Sequence, residues 1–125
     1  MVRSIISMLC VAFLLLLGAT FETKFVQKQF LEFHEVLEIL YEKVDQETAT
    51  QDDVYAVQKN WLDKKRYLHI FIPHNEIKEV DLWLSESATL VRDKEWNDAI
   101  SKIEVLKELA EQIPRTFLLT LDNVL

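Results

Sequence analysis

The apolar positions of this chain fall into one unbroken run followed by four helical stripes. From Ser4 to Phe21, SIISMLCVAFLLLLGATF carries no charge for 18 residues. At about 1.5 Å per residue it predicts a helix of roughly 27 Å, close to the thickness of a bilayer's hydrocarbon core. Val26, Phe30, Phe33, Leu37, Leu40 and Val44 then recur at spacings of 4, 3, 4, 3 and 4, which puts six large side chains on one helical face. No glycine or proline separates this stripe from the leading run except Gly18 inside it. One continuous helix from about Ser4 to Lys43 is therefore expected.

The polar stretch VDQETATQDD ends that helix. Thr50 with Asp53 has the spacing of a capping box, and Asp52 and Asp53 suit the positive end of a new helix. An EF-hand reading of these acids fails, because the alternating ligands and the turning glycine are missing. The second stripe runs Val54, Val57, Trp61, Leu68 and Phe71, with Lys64 at the skipped position. It breaks at Pro73, which disfavours helix at Ile72. A third stripe of Ile77, Val80, Leu84, Ser87 and Val91 follows, with Asn75 as the expected cap. The fourth is Trp96, Ala99, Ile103, Leu106, Ala110 and Ile113, with Asp93 as the expected cap and Pro114 as the expected end. The remaining RTFLLTLDNVL is too apolar for a solvated end and is expected to lie across the bundle as an extended strap.

Short links force antiparallel neighbours, so the fold class is all-α: an N-terminal transmembrane helix, possible continuity with the first bundle helix, antiparallel helical hairpins and an extended C-terminal tail. Residues 1–22 read as a transmembrane signal anchor and residues 23–125 as a helical bundle domain. One glycine and two prolines leave little material for sheets or phosphate-cradling loops. A single cysteine, Cys10, has no internal disulfide partner.

A cleaved signal peptide and a buried soluble helix compete with the anchor. Cleavage wants small residues at the third and first positions before the cut, and Leu17 with Ala19, Gly18 with Thr20 and Ala19 with Phe21 all serve poorly. Nothing downstream is apolar enough to cover the run on all sides. Arg3 on one side and Lys24 and Lys28 on the other nearly balance the positive-inside rule. The two-residue basic lead resembles an export signal and places residues 22–125 outside the cytoplasm.

The net charge of −7 argues against nucleic-acid binding. KNWLDKKRYLH is a local basic exception, and Trp61, Lys64, Lys65 and Arg66 form a candidate interaction face for anionic headgroups or an acidic partner. The blander reading pairs this run with the acidic first helix. At the bend, His69, His74 and Glu76 are candidate metal ligands or a pH sensor, although a metal site needs a third and a fourth ligand and none is identifiable. A corner packed on backbone is the competing reading. There is no nucleophile elbow, phosphate loop, paired-cysteine site or HExxH, so no catalytic residue and no cofactor is expected.

Trp61 ahead of a leucine-rich turn, HNEI at 74–77, DKEWNDAI at 93–100, LKELAEQIP at 106–114 and the closing LDNVL resemble the bacterial family of domain of unknown function 4363. The resemblance spans essentially the whole chain and is most specific from Trp61 onward. It implies a small protein with an N-terminal membrane segment and a helical remainder, and it transfers no activity, cofactor or site residue. That family's pattern places an aspartate ahead of the histidine, where this chain has Pro73. Relatives commonly encoded beside small membrane proteins imply a membrane or envelope partner. The expected function is that of a non-enzymatic, membrane-anchored interaction or support protein. A sensory domain at the bend, a cleaved secreted protein and self-association through the Val26–Val44 stripe are the alternatives.

Overall fold

The computed structural model describes residues 1–124 and contains four α-helices: α1 (Val2–Asp45), α2 (Gln51–Leu68), α3 (His74–Arg92) and α4 (Trp96–Val124). Each packs antiparallel to the next, and α4 returns alongside α1 to close the ring. The α1/α4 register is fixed by three cross-helix pairs: His34 with Glu111 at 3.3 Å, Glu38 with Lys107 at 2.6 Å, and Tyr41 with Glu104 at 3.2 Å.

α1 is unbroken over 44 residues, about 66 Å at the usual helical rise. Its two halves live in different surroundings. Val26, Phe30, Phe33, Leu37, Leu40 and Val44 are fully enclosed by the other helices, so this stripe is not free to dock a second copy. The apolar run before it is unburied, Cys10 included. We call the bundle end from which this run emerges the stem end, and the opposite one the far end.

The chain makes its far-end turns without glycine. After α1, the Thr48 N–H donates to the Lys43 carbonyl and the Glu47 N–H to the Val44 carbonyl, with Glu47 at φ 59°. After α3, the Glu95 and Lys94 N–H groups donate to Leu90 and Val91 in the same way, with Lys94 at φ 58°. Both are Schellman closures, which ordinarily place glycine at the left-handed position. This turn alters the role of Asp93: it closes α3 rather than capping α4, which starts after Glu95. The expected capping box is present, with the Asp53 N–H donating to the Thr50 side chain and the Thr50 N–H donating to Asp53 at 2.8 Å.

Three further boundaries depart from expectation. Pro73 itself precedes α3, so Asn75 sits inside its first turn and makes no cap. α2 stops at Leu68, and Ile72 rather than Phe71 points into the core. The extended tail is instead helix: α4 passes through Pro114 and continues to Val124, while Leu125 lies outside the described residues. A proline inside a helix costs about 3 kcal/mol through a lost hydrogen bond and a clash. Here the stripe Ala110, Ile113 and Phe117 carries straight across it, and Phe117 packs on the core. Burial of large apolar side chains, about 1.5–3 kcal/mol each when complete, offsets the break.

Candidate functional site

Trp61 is the hub of the bundle. Its ring lies 4.9 Å from that of Phe33 and 6.2 Å from that of Phe30, both on α1. Its indole Nε1 donates to the Asp81 carboxylate on α3 at 2.7 Å. Only 2% of Trp61 is exposed, so it belongs to the core and not to an outward interaction face. An indole so buried needs a partner for its N–H, and Asp81 supplies it.

Lys64 and Lys65 extend this polar seam. Lys64 is 7% exposed; its ammonium pairs with Glu32 at 2.6 Å and donates to Gln29 at 3.0 Å. It occupies the core stripe, with its stem among apolar neighbours and its head at the α1 surface, as amphipathic side chains do. The hydrogen bond from Lys64 and its charge hold the Glu32 carboxyl below the usual range. Lys65 pairs with the second Asp81 oxygen at 2.9 Å. Arg66 alone of the four expected face residues is exposed. Two lysines of the basic run are thus tied to acids on α1 and α3, which leaves no continuous basic face on α2.

The bend brings two of its three candidate residues together. The rings of His69 and His74 stack with centroids 5.8 Å apart and 28° between planes, both exposed. Among the described residues no group of three His, Cys, Asp or Glu side chains is placed to hold a metal, so Glu76 does not complete the pair. The Glu76 carboxyl is pushed above its ordinary range, first by burial and then by the neighbouring charge of Glu79.

Pattern reading missed an aromatic column at the stem end. Phe25 of α1 lies 6.0 Å from Phe71 in the bend, and Phe71 lies 6.3 Å edge-on to Phe117 of α4. The column draws the bend and the last turns of α4 to the point where the unburied half of α1 begins. The available signal was Phe25, one position before the stripe. A groove of about 370 Å³ also runs between α1 and α4, with Phe30, Leu31 and His34 facing Ala110, Glu111 and Pro114.

Together these features define a class: an antiparallel four-helix bundle whose first helix carries an unburied extension long and apolar enough to cross a membrane. The model of the family described as Domain of unknown function (DUF4363) matches residues 21–124, and the chain belongs to that family. No match was found among curated proteins, and none among solved structures.

Proposed function

We propose that this protein is a non-enzymatic, single-pass membrane protein whose bundle stands outside the cytoplasm and docks or supports another envelope protein. The observation that carries this reading is the contrast within α1. Its apolar window has no buried residue, yet the same helix continues without interruption into the bundle's core. Leaving so large an apolar surface in water is unfavourable, whereas in lipid it is the ordinary state of a spanning helix. The helix also satisfies its own backbone hydrogen bonds, as a span must.

Membrane fractionation with intact-mass measurement of the native protein tests the anchor. Retention in membranes through a high-salt wash, with the leading residues present, is expected; a released chain beginning beyond Thr20 would refute it. Crosslinking in membranes followed by mild-detergent purification tests the partner. Recovery of this chain alone, repeatedly, would remove the docking role. A second reading makes the bend a proton or ligand sensor, supported by the stacked imidazoles of His69 and His74. A melting temperature indifferent to zinc, and to pH across the histidine range, would exclude it.

A further inference from the structure

The bend and the end of α4 lie where α1 would leave the bilayer. Phe25 is four residues past Phe21, the last residue of the uncharged run, a rise of about 6 Å. The headgroup layer on each side of a hydrocarbon core is roughly 5–8 Å deep. Because Phe71 contacts Phe25, the bend is held at headgroup depth. The α1/α4 register adds a second element. Pairs at 41 with 104, 38 with 107 and 34 with 111 extrapolate to Val124 level with Phe21, so α4 also ends at this boundary.

What the stem end exposes suits such a location. Ile70 at the tip of the bend is 77% exposed, and Leu119 of α4 is 60% exposed. Tyr67, an amphipathic ring three residues before Ile70, is exposed as well. Charge is segregated along the bundle as well. Lys65 is tied to Asp81 at the level of the Lys64–Glu32 pair; below it, residues 21–28, 66–80 and 115–124 carry Lys24, Lys28, Arg66, Lys78 and Arg115 against four carboxylates. The rest of the bundle, 29–65 and 81–114, carries eight basic against 17 acidic residues. An anionic surface attracts the first set and repels the second.

We infer that the stem end of the bundle rests on the lipid surface, with Ile70 seated among the headgroups and the basic residues around it facing anionic lipid. This rests on the anchor reading above. The bend is then a foot, and the bundle stands upright on it with its acidic far end in water. Contact with lipid also covers Leu119, which the packing of Phe117 and Leu118 against the bundle leaves exposed on α4.

The test uses the full chain in a Cys10→Ser background, reconstituted into phosphatidylcholine vesicles with and without phosphatidylglycerol. An environment-sensitive fluorophore is placed singly through Leu14→Cys, Ile70→Cys or Asn97→Cys. Quenching is read with spin labels at the headgroup, with spin labels deep in the acyl chain, and with acrylamide in water. The label at 14 should respond to the deep quencher, the label at 70 to the headgroup quencher, and the label at 97 to acrylamide alone. With phosphatidylglycerol present, Lys24→Gln and Arg66→Gln should each lower the protected-to-exposed ratio at 70 by about fivefold. A label at 14 deep in lipid with a label at 70 as wet as that at 97 overturns the foot and leaves the anchor standing. A label at 14 open to acrylamide overturns both.

Discussion

The buried lysine provides the most discriminating test of how the bundle is held together. Lys64→Ala removes roughly three buried methylenes, worth about 2 kcal/mol at about 0.8 kcal/mol each. It also removes the pair to Glu32. The Glu32 side chain is 45% exposed, so water takes over its carboxylate and the lost pair adds no more than about 1 kcal/mol. The expected loss is therefore about 3 kcal/mol, or on the order of 15 °C in melting temperature for a domain of this size. Lys64→Met keeps the stem and discards the charge, and should fall within about 1 kcal/mol of the native protein, since apolar replacement of a largely buried ion is commonly neutral. In a Glu32→Gln background the Lys64→Ala cost should shrink by about 1 kcal/mol or less. Urea titrations of the full chain in mild detergent, followed by helical circular dichroism, supply these differences. If the methionine variant is as destabilised as the alanine variant, packing of the stem is not what holds Lys64 and the account of the seam fails.

Other perturbations probe the far-end turns, the capping box and the bend. Glu47→Gly and Lys94→Gly relieve the left-handed strain at the far-end turns, by about 1 kcal/mol each. The gain should be smaller at 94, where a cation favours the helix end; a lower denaturation midpoint for Glu47→Gly would contradict this. Thr50→Ala should cost about 1 kcal/mol by opening the capping box. The Asp53 carboxyl in that box is held low, chiefly by the hydrogen bond from Lys43 and then by the Thr50 backbone. Its contribution is therefore present above the ordinary carboxylate range and lost as pH falls through the depressed folded-state value, and Asp53→Asn should flatten the acid limb of the stability profile. Glu76 has the opposite sign: a raised folded-state value means the ionised form opposes folding once pH rises through it. Glu76→Gln should raise the melting temperature at neutral pH and leave it unchanged below the carboxylate range, and a loss of stability at neutral pH would refute that assignment.

Much of the bundle was readable from periodicity. Ile77, Val80, Leu84, Ser87 and Val91 are all buried as their spacing predicts, the serine included, because its hydroxyl donates to the Trp83 carbonyl at 2.8 Å. The same holds for Val26 to Val44 and for Ala99 to Ile113. Spacing identifies a buried face but not the element that faces it. The partners of Trp61 and Lys64 lie 20 and 32 positions away, at Asp81 and Glu32: the reading that pairs the basic run with the acidic first helix holds at Lys64, while the ties of Trp61 and Lys65 to α3 had no local signal. Pro114 misleads for a related reason: the local cost of a proline was legible, while the compensating packing of Phe117 against the bend was not. The candidate site at His69 and His74 was legible as a pair without an identifiable third ligand; the stacking of the two rings was not legible, because it depends on how the bend closes.

The absence of any joint in α1 makes the leading half and the bundle a single lever. Rotation about the long axis at one end reaches the other undiminished, since each residue carries both a turn of 100° and a rise of 1.5 Å. Inserting one alanine between Phe21 and Val26 would thus swing the bundle by about 100° and lift it by about 1.5 Å, while four would restore its heading to within about 40° and raise it by about 6 Å. Azimuth and height of the bundle above the span become separately adjustable through the number of residues inserted.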